Sequence, residues 1–179
     1  MSNHNGAIIH PNATVADSAK LYDGTVVWSG AVVGHDVQTG PGCVIGSNCY
    51  IGGGSVLGES VRLQHGAFVP NKTQIGNYVF IGPNATLCDD THPRVNNPSY
   101  EARPPILQDH CSIGAGAVIL AGVTIGRHAM VGAGAVVLTD VPAWGVAVGN
   151  PAVLKSSVKD DPYSKLWYRS RVLPGEPVP

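Results

Sequence analysis

The stretch Val44-Ile45-Gly46-Ser47-Asn48-Cys49-Tyr50-Ile51-Gly52-Gly53-Gly54-Ser55-Val56-Leu57-Gly58 sets an aliphatic residue at every sixth position and follows each with glycine. Extended in both directions, the register reads Ile9, Val15, Leu21, Val27, Val33, Thr39, Ile45, Ile51, Leu57, Leu63, Val69, Ile75, Ile81 and Leu87, aliphatic everywhere except Thr39. Four residues after the aliphatic stands a small or β-branched residue, as at Ala31, Cys43, Cys49, Ser55, Ala67, Thr73 and Ala85. A period of six fits neither the helical repeat of about 3.6 nor the alternation of a half-buried strand. Hexapeptide self-similarity is instead the signature of a β-helix.

The register breaks after Leu87 and returns at Leu107, Ile113, Ile119, Ile125, Val131 and Val137. The step from Leu87 to Leu107 is no multiple of six, so residues 88–106 form a loop extruded from the repeat. Pro93, Asn96, Asn97, Pro98, Pro104 and Pro105 mark it as exposed. A loop of that length without its own secondary structure is usually functional. With three hexads to a coil, the repeat predicts about six to seven coils, roughly 30 Å tall at sheet spacing. The expected organisation is a β-helix domain over 1–154 and a C-terminal helix and tail over 155–179. The segment from Val153 to Arg171 leaves the repeat and mixes Trp167 and Tyr168 with Arg169 and Arg171. The closing Leu173-Pro174-Gly175-Glu176-Pro177-Val178-Pro179 cannot continue a helix.

Composition narrows the class further. Charged residues are 13% and aromatics 6% of the 179, with 23 glycines and 14 prolines, which excludes a coiled coil or helical bundle. A hydrophobic content of 44% at net charge -1 excludes wholesale disorder, and the absence of a basic balance argues against a nucleic-acid partner. No apolar run is long enough to span a membrane and Met1-Ser2-Asn3-His4-Asn5-Gly6 is no signal sequence, so a cytoplasmic location is expected. Cys43, Cys49, Cys88 and Cys111 lack zinc or disulfide spacing and read as reduced, space-filling thiols.

The loop opens Leu87-Cys88-Asp89-Asp90-Thr91-His92-Pro93-Arg94, gathering two carboxylates, an imidazole and a guanidinium beside a rigid scaffold. An imidazole titrates near operating pH and suits a general base, while an adjacent carboxylate could fix its tautomer or bind an ammonium. The hexads over about 9–154 resemble the left-handed β-helix acyltransferases, an all-β fold. Within that family, Ile81-Gly82-Pro83-Asn84, the aspartate-bearing loop with Pro93-Arg94, and Ile113-Gly114-Ala115-Gly116-Ala117-Val118-Ile119 resemble the N-acetyltransferases of nucleotide-linked 3-amino sugars. Thr91-His92-Pro93 resembles the galactoside and maltose type of acetyltransferase, whose histidine at that place is the base.

These resemblances imply a homotrimer that uses acetyl-coenzyme A and no metal, with a place in surface-glycan (lipopolysaccharide) assembly. They imply His92 and Asn84 as catalytic, and Asp89, Asp90 and Arg94 as acceptor-binding. Gly114, Ala115, Gly132, Ala133, Asn150 and Pro151 would line the coenzyme groove, with Lys155 on its phosphates alongside Arg127, Arg169 or Arg171. The family's Asn-Pro-Ala-Arg ending has Val153 in place of arginine here. The outward residues Val32, Val44, Val56, Phe68, Phe80 and Val118 would pack between subunits. Two other enzymatic readings stand beside this one. An O-acetyltransferase would use the same Thr-His-Pro. A γ-type carbonic anhydrase would need three zinc-binding histidines across the interface, for which Leu63-Gln64-His65-Gly66-Ala67 supplies one candidate, but no ligand pair spaced by five residues follows. A noncatalytic scaffold would not need the charged loop.

Overall fold

Each hexad supplies a strand of two residues, such as Val44–Ile45 and Tyr50–Ile51, and a four-residue corner. The first residue of each strand points outward and the second inward, as the pleat requires. The structure, a computed structural model that describes residues 6–158, winds these units into a parallel β-solenoid with three faces. The first face stacks Ile8–Ile9, Val26–Val27, Val44–Ile45, Arg62–Leu63, Phe80–Ile81, Ser112–Ile113, Met130–Val131 and Gly145–Val148. The second runs from Thr14–Val15 to Val136–Val137, and the third from Gln38–Thr39 to Thr124–Ile125.

In-register pairing sets the inward residues in columns. On the first face Ile9 pairs with Val27, then Ile45, Leu63, Ile81, Ile113 and Val131 follow in turn. From Val27 onward these side chains are fully buried, as are the corner residues Ala31, Cys43, Cys49, Ala67 and Ala85. The lumen is thus lined by aliphatics on the faces and by small groups at the corners. Glycine at the first corner position answers a close approach between coils: a Cβ on Gly114 would strike the backbone nitrogen of Ala133. Gly116, by contrast, has φ of +65° and open space around it.

The solenoid makes about eight turns, more than the hexad count predicts. The step from Val137 to the next inward residue, Val141, is four residues instead of six, after which Val141 and Ala147 regain the period. Asp140 closes this short corner, its Oδ1 accepting the Thr124 N–H at 2.7 Å. The extruded loop ends at Pro105, because Ile106 already belongs to Ile106–Leu107, which pairs with Gln74–Ile75 as though no insertion had occurred.

The expected C-terminal helix does not begin where the repeat stops. Val153–Ser157 is a strand that folds back antiparallel on Gly145–Val148, with a register shift that leaves Lys155 as the bulged residue. The remainder of the predicted helix and tail lies outside the described residues. The apolar outward residues fall on all three faces, not one: Val32, Phe68 and Val118 on the second, Val44 and Phe80 on the first, Val56 on the third. On the second face Tyr50 joins them, its ring stacked on Phe68 at 5.1 Å. The corner after the third face carries another column, Tyr78, His110, His128 and Trp144, with successive ring centroids 5.0, 4.7 and 4.1 Å apart.

Substitution Ile81→Ala should therefore cost about 2–5 kcal/mol, since the closed lumen cannot collapse around the void. Gly116→Asn should be nearly neutral, because asparagine already occupies the same corner position at residues 48 and 84. Urea denaturation of both variants checks the contrast.

Candidate active site

The corner between the first and second faces is a continuous backbone ladder. The third residue of each corner donates its N–H to a carbonyl of the corner before it, to the second residue in Asn48 to Ser29, Gly66 to Ser47, Asn84 to His65, Gly116 to Pro83 and Gly134 to Ala115, and to the third in Gly30 to Asn12. Asn84 therefore shares one axial column with Gly114, Ala115, Gly132 and Ala133, and the exposed Gly149-Asn150-Pro151 turn ends it. Two successive corners after Asn84 read Gly-Ala-Gly-Ala, and a Cβ built on Gly116 or Gly134 meets nothing within 4 Å. The result is a bare, exposed backbone edge along which a thin chain could lie. Asn84 itself has φ of 54°, and its Oδ1 covers Gly66. Asn48 does the same over Gly30, so this geometry belongs to the corner as such.

The loop leaves at the other end of Thr86–Leu87, at the corner between the second and third faces. It is anchored at its return limb, where the Arg103 N–H donates to the Asp89 carbonyl at 2.8 Å and the Gly122 N–H donates to the Arg103 carbonyl at 2.6 Å. Inside it, Asp90, Thr91, His92, Arg94, Asn97, Ser99, Glu101 and Arg103 line a polar cleft of about 360 Å³. Four residues named from the sequence thus meet: Asp90 and His92 with Arg94 in the cleft, and Asp89 at its root. Asn84 is not among the lining residues, since a strand separates the two corners.

Of the two roles read for the loop carboxylates, contact with the imidazole ring is not made by either. Thr91 Oγ1 lies 3.0 Å from His92 Nδ1, while Asp90 Oδ1 accepts the His92 backbone N–H at 2.8 Å. Asp89 Oδ2 accepts the Tyr100 hydroxyl at 3.0 Å, and this bond, with the aspartate charge, raises the phenol above its ordinary range. Short loop contacts win because an aspartate close in sequence reaches backbone N–H groups before it reaches a neighbouring ring. Sequence reasoning passed over Tyr100, Glu101 and Arg103. The Arg103 guanidinium pairs with Glu101 at 3.1 Å, both largely exposed.

An imidazole and a carboxylate do meet elsewhere. His35 Nδ1 lies 3.1 Å from Asp36 Oδ2, on the loop's corner three coils earlier, and the ring covers Gly53. Hydrogen bonds from His35 and from Ser18 hold the Asp36 carboxyl below its usual range. Adjacency of His35 and Asp36 was the available signal. On the coenzyme side, Lys155 projects from the bulge in Val153–Ser157 and is exposed. Arg127 lies on a different corner, after the third face, with its backbone N–H on Gln108 Oε1. Arg169 and Arg171 lie outside the described residues. Among those residues no three His, Cys, Asp or Glu side chains converge as a metal site, and no helix is long and apolar enough to cross a membrane.

Two family patterns match the repeat: the bacterial transferase hexapeptide (six repeats) over residues 104–139, and the hexapeptide repeat of succinyl-transferase over residues 37–70. Over these two stretches the chain is similar to hexapeptide-repeat transferases. A galactoside O-acetyltransferase of Lactococcus lactis is 33% identical over 94 residues, 50% of this chain and 45% of the relative. The chain spans less than half the length of the curated relatives it matches first. Among solved structures, the acetyltransferase domain of PglB from Neisseria gonorrhoeae, in complex with acetyl coenzyme A, is 27% identical. The match has a TM-score of 0.57 and covers 84% of this chain and 58% of that one. A perosamine N-acetyltransferase mutant from Caulobacter crescentus, in complex with CoA and GDP-perosamine, is 26% identical with a TM-score of 0.52, covering 84% and 57%.

The thiols give a direct check of the site's electrostatics. Cys43, Cys49 and Cys111 are buried; burial pushes Cys43 up to about 11 and the other two upward as well. Cys88, half-buried, is raised first by burial and then by the charge of Asp89. Iodoacetamide should label only Cys88 in the folded protein, slowly near neutral pH and faster as pH rises past the ordinary thiol value of about 8.5. Asp89→Asn should accelerate it. Mass spectrometry of labelled peptides reads both effects.

Proposed function

We propose that the protein transfers an acetyl group from acetyl-coenzyme A to the amine of a nucleotide-linked amino sugar. The observation that carries the reading is the bare Gly-Ala-Gly-Ala edge directly beyond Asn84, which a neighbouring subunit would turn into a groove. It suits pantetheine, and the comparison structures with bound CoA or acetyl coenzyme A support this use. Gly114, Ala115, Gly132, Ala133, Asn150 and Pro151 line the donor track, and Lys155 meets the coenzyme phosphates by charge-assisted hydrogen bonds.

The acceptor amine attacks the thioester carbonyl carbon while His92 Nε2 takes its proton. The tetrahedral oxyanion collapses, the C–S bond breaks, and the leaving thiolate is protonated by the imidazolium. Asn84 orients the reacting groups, and Asp89, Asp90 and Arg94 hold the acceptor. The thiol of Cys88, held protonated by burial and by Asp89, is a poor nucleophile, which favours direct transfer over an acetyl-enzyme.

Asn84 and the His92 loop stand at opposite ends of Thr86–Leu87, so the reading joins Asn84 and the bare edge of one subunit to the loop of the next in a homotrimer. The exposed Val32, Tyr50 and Phe68 ladder on the intervening face supplies apolar contact area. A second reading, O-acetyl transfer to a sugar hydroxyl, is favoured by the Thr91–His92 contact and by the galactoside O-acetyltransferase relative.

Thiol release from acetyl-coenzyme A, measured with nucleotide-linked amino sugars and their hydroxyl counterparts, separates the two readings; silence with every acceptor would refute both. His92→Asn should lower kcat about 100-fold or more without weakening coenzyme binding. His35→Asn, run in parallel, should not. Co-expressed Asn84→Ala and His92→Asn chains, each inactive alone, should recover activity if the site is shared. No recovery would place the site within one chain.

A further inference from the structure

The first corner is asymmetric about Asn84. Beyond it the corners are stripped to glycine and alanine, but before it they carry side chains: Gln64 and His65, then Ser47 and Asn48, then Trp28. The hydrogen-bond ladder holds these three coils in the same column as Asn84. Trp28 is 49% exposed, an unusual cost for the largest apolar side chain, and it lies three coil steps from Asn84, about 14 Å at sheet spacing. The adjoining first face is apolar or neutral at every other parallel strand, from Ile8 and Val26 to Met130 and Val146, yet Arg62 projects from it on the same coil as His65. Among the described residues Arg62 has no carboxylate partner.

We infer that this half of the corner is a nucleoside diphosphate subsite, with Arg62 and His65 on the diphosphate and Trp28 as the stacking platform for the base. The inference rests on the acceptor reading above and deepens it. The order of groups away from Asn84 matches the order in such a ligand: sugar amine, phosphates, then base. The span to Trp28 is comparable with the extended length from sugar ring to base. An aromatic face accepts any base by stacking, and a guanidinium binds phosphate oxygens in pairs. A free amino sugar would leave Arg62 and Trp28 unused.

Calorimetry of the intact protein with uridine 5′-diphosphate and thymidine 5′-diphosphate tests the subsite without requiring turnover. Binding should weaken about tenfold or more in Trp28→Ala, survive in Trp28→Phe, and weaken with added salt and in Arg62→Ala. Where acetyl transfer to a nucleotide-linked amino sugar is measured, Trp28→Ala should raise KM by a similar factor while kcat holds. Nucleotide binding of this pattern with no acetyl transfer would sink the enzymatic reading and leave the subsite standing. Transfer with an unchanged KM in Trp28→Ala, or a change of oligomeric state in that variant, would overturn the subsite and assign Trp28 to a subunit contact.

Discussion

Every feature of this molecule depends on the in-register hydrogen bonding of one coil upon the next. A two-residue strand is too short to be stable alone, and its backbone groups are satisfied only because the neighbouring coil presents the same groups at the same height. That requirement fixes the lumen contents in turn. Inward side chains stack on copies of themselves, so a column tolerates aliphatics of similar volume and little else, and the corners accept only groups that leave room for the next turn of chain. Thr39 is the exception on the faces, and its hydroxyl lies 3.1 Å from the buried Thr25 hydroxyl, so the polar group is not left unpaired.

The same ladder turns sequence position into spatial position. Residues eighteen apart lie one above the other, and the bare corner edge is assembled from pieces of chain that no local motif connects. The loop obeys a different logic. It leaves the ladder and rejoins it without altering the register of the coil beyond, so its chemistry is free of the packing rules that govern the rest. Its internal geometry comes from Asx-type turns, the Tyr100–Asp89 bond and the anchoring of Arg103, all short-range contacts among polar groups.

This division explains what could be read from the residues in advance. The period of six, the lumen columns and the placing of Asn84 beside Gly114 and Gly132 follow from spacing, because a strict repeat leaves one arrangement available. The short corner at Leu138 to Asp140 broke the count, since a step of four looks like the end of a repeat unless Val141 and Ala147 are recognised as its continuation. The strand at Val153–Ser157 was hidden because its residues, Val-Leu-Lys-Ser-Ser, pair only through the backbone of the last coil. In the loop, composition identified the chemical groups but not their partners: which carboxylate meets which donor depends on turns of two or three residues. Trp28 and Arg62 carry no signal against the background of outward positions until the coils are stacked, whereas His35 and Asp36 were visible as neighbours in the chain.

The hairpin that ends the described solenoid has a consequence for assembly. The edge of a parallel sheet is a template for another strand, and a regular β-solenoid with open ends is in principle a unit of an endless fibre. Here the chain reverses, so the first sheet presents a strand of opposite polarity, and the bulge at Lys155 breaks its even spacing of donors and acceptors and sets a charge at the rim. The edge no longer matches the start of another copy. Longitudinal growth is blocked at that face, which leaves the lateral faces as the surfaces through which copies of this fold can associate.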